Sequence, residues 1–373
     1  MCIRDSAYRA LGATQYVDYV LHDYVHNYNQ ATRESVYGFF NKWLLTDSPN
    51  TLEKEFPYAK EPDDKLLFLV GGRVPESAMN REDLIKYLKR QTHEALIDGK
   101  PSDEKSLKKY QKRTRLAWER TLQMPIAPAK LLTEKLGQAA VGDLAVKRLA
   151  LGLDGLGNRI PVVQFAPEGG AKNWAIVVHP KGSGALLGPK GAPTGLAKAL
   201  LEQGVGVLAP DLYQTGALAN TDVAAKRDLT RNYFTVYNRT DLQERVLDLL
   251  AVTRHARRLG DKVILAGVDR AGLWVQSASP MADATIADCG QFSMDDETMV
   301  APDLFYPGFY RLGGFEGIGL TGGATPKFLH NTGSQFSTTH MSDVYQAVGA
   351  GDRLRVAGAA ASDTDLAKWA AKL

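Results

Sequence analysis

Apolar and polar positions alternate along the chain with two different periods, and the change of period divides it. Residues 16–21 alternate and are rich in aromatic and β-branched side chains, which predicts a strand. A polar loop over residues 23–29 follows, and then a helix over residues 30–45 with Val36, Phe39, Phe40, Trp43 and Leu44 at helical spacing. One strand and one helix cannot close a core, so this amphipathic face needs a sheet supplied from elsewhere. Proline and charge dominate residues 49–64, a linker signal, and residues 66–71 read as one short strand. Helices are predicted from Ser77 onward and again over residues 103–123, broken at Asp98-Gly-Lys-Pro101. Leu84, Tyr87, Leu88, Leu107, Tyr110, Leu116, Trp118 and Leu122 give these helices partly buried faces, as expected of a linker or cap lying on a neighbour.

From about residue 146 strands alternate with helices, the pattern of an open, mostly parallel α/β sheet with flanking helices. Strands are predicted at residues 147–151, 160–166, 174–178, 205–208, 263–266, 284–288, 327–330 and 353–356. Asp154-Gly155 and Gly157-Asn158 between the first two suggest a hairpin. Helices are expected over residues 194–203, 238–259 and 341–348 and from Asp363 onward.

The stretch from Asp261 to Ser277 organises this second region. A buried strand runs into a tight turn framed by Gly267, Ala271 and Gly272 and then into a helix, the geometry of a nucleophile elbow. Small residues let a strained turn pass between strand and helix. The elbow position itself is Asp269, where a hydrolase usually carries serine.

With 44% hydrophobic and 23% charged residues the chain is ordinary globular material, which excludes disordered and collagen-like classes. The net charge of +3 is small, and the Lys/Arg-rich residues 86–120 are interleaved with acids at helical spacing. That pattern is a solvated helix surface rather than a nucleic-acid patch. No apolar run approaches the ~20 residues a membrane span needs. Cys2 and Cys289 make no disulfide framework, and neither they nor Asp241, Asp283 and Asp288 have metal-ligand spacing, so no metal or other cofactor is expected. Lys181-Gly182 lacks the glycine-spaced pattern of a phosphate loop. The opening Met-Cys-Ile-Arg-Asp-Ser looks like the translated end of a transposon used in sequencing libraries, so residues 1–6 are expected to be an artefact.

Several motifs together resemble the α/β-hydrolase superfamily, and more narrowly bacterial acetyl xylan esterase-like hydrolases with two such units in tandem. Asp23-Tyr-Val-His26-Asn-Tyr-Asn29 with Arg33-Glu34-x-x-Tyr37-x-Phe-Phe40 resembles the end of a first unit. His179-Pro-Lys-Gly182, Pro210-Asp211 and the elbow carry the resemblance of the second. The resemblance implies a division into a first-unit tail (residues 7–48), a linker and helical region (49–145) and a second unit (146–373). It also implies that His26 is the base of the first unit, whose nucleophile and acid lie upstream of this chain. His22 is the weaker candidate. His179 and Gly182 fall where an oxyanion loop is built, although a plain connection reads equally well. The substrates implied are acetyl or related carbohydrate esters bound through the first unit, in a secreted or periplasmic parent, while oligomeric state stays unread.

Asp269 leaves alternatives open. Aspartate nucleophiles serve dehalogenase and epoxide-hydrolase relatives through an ester that a histidine-activated water cleaves. The loop after residues 353–356 holds no histidine, and the last ones are His330 and His340. The expectation is therefore a degenerate second unit of structural or substrate-shaping role. An autonomous Asp269 hydrolase and a non-enzymatic binding or scaffold module are the rivals.

Overall fold

Central strands of an α/β sheet are buried on both faces, and the Val-, Ile-, Leu- and Ala-rich runs of this chain satisfy that requirement. In the computed structural model, residues 3–44, 54–66, 75–125, 129–229, 231, 233–293, 301 and 303–373 are described. The chain divides into two units, Met1–Asn80 and Arg81–Leu373.

The first unit holds helices α1 (Ile3–Ala10), α2 (Gln30–Leu44) and α3 (Asp63–Leu66). Helix α2 forms where its periodicity places it. The strand predicted at residues 16–21 does not form: Thr14–Tyr16 is a 3-10 turn and no strand follows it. A strand needs a partner for its N–H and C=O groups, and this unit offers no sheet edge among its described residues. Leu66 ends α3, and the remainder of the strand expected at 66–71 lies outside the described residues.

The second unit opens with α4 (Arg81–Asp98) and α5 (Glu104–Thr121), the latter capped by Asp103, whose side chain accepts from Ser106 N–H. Leu84 and Leu88 of α4 are exposed, contrary to their apolar spacing. Helix α5 is integral to the core: Trp118 is fully buried and donates its indole N–H to Ser277 O at 2.9 Å. Among the described residues, nine strands form one sheet in the order β1-β2-β3-β5-β4-β6-β7-β8-β9. They are β1 (Leu131–Val141), β2 (Leu144–Leu153), β3 (Ile160–Ala166), β4 (Asn173–Val178), β5 (Gly206–Pro210), β6 (Lys262–Gly267), β7 (Ala284–Asp288), β8 (Lys327–His330) and β9 (Leu354–Val356). Strands β1, β2, β3 and β5 pair antiparallel in succession, and every pairing from β5 to β9 is parallel.

The sheet starts earlier than expected, because β1 lies within the stretch read as linker. Its residues are almost all exposed, so it lacks the half-buried alternation that marks a strand in sequence. Helices α6 (Gly195–Glu202) and α13 (Asp363–Ala370) lie against each other and share a core with one face of the sheet. Helices α9 (Asp241–Ala256), α10 (Ala271–Ala278), α11 (Gly314–Thr321) and α12 (Thr339–Ala347) share the core of the other face with α5. Two short helices, α7 (Thr221–Ala225) and α8 (Phe234–Tyr237), precede α9.

Candidate functional site

The chain leaves β4 on one side for β5 and returns past it for β6, so strand order reverses at β4. Loops at the carboxyl ends of strands flanking such a reversal form the usual crevice of an open α/β sheet. Val178 and Gly267 are register partners at the ends of β4 and β6, and Val268 N–H donates to Val178 O at 2.9 Å. The two loops that carry His179 and Asp269 therefore leave the sheet side by side.

The elbow is built as the small residues predict. A Cβ on Gly267 would lie 2.4 Å from Ala271 O, and one on Gly272 only 1.9 Å from Asp288 O. Asp269 takes φ of 52° in the left-handed region and is exposed, the strained presentation an elbow gives its apex residue. Ala271 N–H donates to Val268 O and Gly272 N–H to Asp269 O, closing the turn into α10.

The loop after β4 spends its backbone donors internally. Lys181 N–H donates to His179 Nδ1 at 3.0 Å, Gly182 N–H to His179 O at 2.9 Å, and Ser183 N–H to Asp211 Oδ1 at 2.6 Å. Asp211 also accepts from Ala217 N–H at 3.0 Å, so this buried carboxylate braces two loops. Gly182 has φ of 80° and a Cβ there would lie 2.5 Å from Gly216 Cα. Gly182 thus serves a close backbone approach, and its N–H is engaged by His179 O. The role of Asp211 was not legible beyond a strand end, because only folding brings residue 183 beside residue 211.

His179 lies within the field of Asp269. Burial pushes its pKa down, while the charge of Asp269 pulls it up and that of Lys181 pushes it down. Because a backbone N–H points at Nδ1, that nitrogen holds the lone pair and the neutral ring carries its proton on Nε2.

His330 does not join this pair. It ends β8 in register with Asp288 of β7 and is buried, with Nδ1 accepting weakly from Ala361 N–H at 3.4 Å. Burial lowers its pKa against the opposing charges of Asp288 and Asp363. Asp288 in turn accepts from Asn331 Nδ2 at 2.8 Å and Gly290 N–H at 2.9 Å. Beside the elbow, Arg270 grips Asp303 with both Nε (2.8 Å) and a terminal nitrogen (3.2 Å), and Trp274 Nε1 lies 3.4 Å from the same carboxylate. The Arg245 guanidinium stacks on Trp274 at 4.0 Å. Nothing in the sequence marks Asp303 as a partner of the elbow, since 32 residues separate it from Arg270 in the chain and its type is common in loops.

In the first unit, His26 is exposed in the loop before α2. His22 Nε2 lies 3.3 Å from Ser35 Oγ. The motif around it has a structural use: Arg33 and Tyr37 both donate to Glu55, and Glu34 accepts from Glu55 N–H at 3.0 Å.

No protein-family model and no curated protein sequence matches the chain. Solved structures do. A Bacteroides fragilis protein assigned as an acetyl xylan esterase superimposes with a TM-score of 0.56 at 15% identity, over 76% of this chain and 84% of that one. A methylesterase superimposes with a TM-score of 0.50 at 11% identity, over 75% of this chain and 66% of that one. With its crossover at β4, its parallel strands from β5 to β9 and its elbow after β6, the chain has the α/β-hydrolase fold.

Proposed function

We propose that the chain is part of a carbohydrate-ester hydrolase in which residues 81–373 keep the hydrolase fold without its serine chemistry. The observation that carries this reading is the occupied lone pair of His179. The elbow presents an aspartate, and the histidine beside it has its basic nitrogen engaged by Lys181 N–H. An ester formed on Asp269 would then lack a base to activate the water that cleaves it. The elbow-bearing unit has a structural or substrate-shaping role, and His26 is the base of the first hydrolase unit. The names of the structural neighbours, an acetyl xylan esterase and a methylesterase, support an ester on a carbohydrate as the parent's substrate. Exposed Tyr19, Val20, Leu21, Tyr24 and Val25 around His26 support an apolar partner for that loop.

The test is hydrolysis of an aryl acetate by the chain, by Asp269→Ala and by His179→Ala. The expected result is no turnover above buffer in any of the three.

One observation favours a second reading, the charge of Asp269 acting on His179. If the His179 ring rotated away from Lys181 N–H, its lone pair could serve an Asp269 ester. Hydrolysis of a primary haloalkane by the chain, with halide released and an alkyl ester accumulating on Asp269 in His179→Ala while Asp269→Ala is inactive, would establish that chemistry and overturn the first.

A further inference from the structure

A groove far in sequence from the elbow has the composition of a binding site. It encloses about 360 Å³ on the β1–β2 hairpin and is lined by β1 and β2 residues, Val163 of β3 and the loop after β4. Its floor is apolar, from Val141, Val146, Val163 and Leu187, side chains that belong to or pack against the core shared with α6 and α13. Two cations, Arg148 and Lys190, stand among them, and none of the lining residues is acidic.

The backbone makes the space. Pairing runs Lys135↔Leu149 and then Gly137↔Arg148, so Leu136 is an extra residue in β1 and the strand bulges there. Such a bulge re-aims its neighbours and bends the strand. Arg148 consequently stands between a glycine on one side and Val163 on the other. A Cβ on Gly137 would meet nothing within 4 Å, so the register position opposite Arg148 is open space. On the opposite wall, residues 187–193 form a braced loop, with a Leu187↔Pro193 bridge and Gly188 N–H donating to Ala192 O at 2.7 Å. Lys190 sits in that loop at φ of 56°, a left-handed conformation uncommon for a lysine.

We propose that this groove binds a small carboxylate with a compact apolar body. The cations recognise the carboxylate and the valine and leucine floor accepts the body. An anion without an apolar part would leave the floor wet, and a neutral apolar molecule would have to cover two solvated cations. The site is independent of the elbow and of the esterase reading.

The experiment is a ¹⁹F NMR titration of the full chain with 4-fluorobenzoate, with 4-fluorobenzyl alcohol as the neutral counterpart. Saturable binding of the carboxylate and at least tenfold weaker binding of the alcohol are expected. Arg148→Ala should weaken the carboxylate at least fivefold, and Gly137→Phe should abolish its binding by filling the groove. Gly137 has no left-handed φ, so the added ring is compatible with the strand; an unchanged thermal transition for each variant confirms that the fold is intact. The proposal fails if 4-fluorobenzoate does not saturate, if the alcohol binds equally well, or if both Arg148→Ala and Gly137→Phe bind like the parent.

Discussion

Lys181 donates its backbone N–H to His179 Nδ1 at 3.0 Å, two residues back along the loop that follows β4. A histidine held this way gives a hydrogen bond from Nε2, and it takes a proton on Nδ1 only by giving up the Lys181 N–H. Long-range ¹H–¹⁵N spectra should show the Nε2–H tautomer above the titration of His179. The Asp269 carboxylate raises the pKa of His179 against burial, so Asp269→Asn should lower it further. An unchanged or higher His179 pKa in that variant would remove the electrostatic link between the two loops.

The elbow turns depend on missing side chains. Gly272→Ala places a methyl 1.9 Å from Asp288 O, a backbone atom that cannot move without shifting β7. Destabilisation of about 3 kcal/mol or more in urea unfolding is expected. Gly137→Ala meets nothing within 4 Å and should change stability by less than about 1 kcal/mol.

Helix α5 should behave as core. Trp118 is 0% exposed and its indole donates to Ser277 O. Trp118→Ala should cost about 3–5 kcal/mol, the range for truncating a buried aromatic. Trp118→Phe should cost less, about 1–3 kcal/mol for the lost hydrogen bond and the altered packing. A loss below 1 kcal/mol in the alanine variant would make α5 a peripheral linker.

Lys327 is 0% exposed, with Thr325 Oγ1 at 3.1 Å as its hydrogen-bond partner, and burial lowers its pKa to about 7. The unfolded lysine, at about 10.4, binds its proton across a window where the folded one has released it. Its contribution to stability therefore rises with pH from about 7 to 10.4, by up to about 1.4 kcal/mol per unit, and is lost as pH falls toward 7. Lys327→Met should abolish that rise and be more stable than the parent at neutral pH. Denaturant unfolding of both proteins at pH 7 and 9 measures the difference, and parallel pH dependences would contradict it.

Arg270 and Asp303 tie the elbow to the loop that carries Asp303. Both side chains are about one third exposed, so water screens the pair and its coupling should be modest, about 1 kcal/mol or less. Arg270→Ala should raise amide exchange over residues 303–309 while leaving β6 protected. Uniform exchange in parent and variant would show that the pair holds nothing in place.

Eight of the nine strands described, the elbow and helices α6, α9, α10, α12 and α13 were legible in the sequence, because buried strands and amphipathic helices write their periods into residue order; the glycine-rich α11 and the short α7 and α8 were not. Strand β1 was not, since an exposed edge strand carries no such period. The strand expected at residues 16–21 failed for the opposite reason: alternation specifies a surface that can pair, but only a neighbouring strand makes it a strand. At the site, residue types named Gly267, Asp269, Gly272, His179 and Gly182, and local order placed them in the two loops. What the sequence could not contain was which donors those loops spend internally. Asp211 takes the Ser183 N–H, Lys181 takes the His179 lone pair, and Asp303 takes Arg270. Hydrogen-bond partnership is decided by distance and angle in three dimensions, and tertiary packing alone sets those.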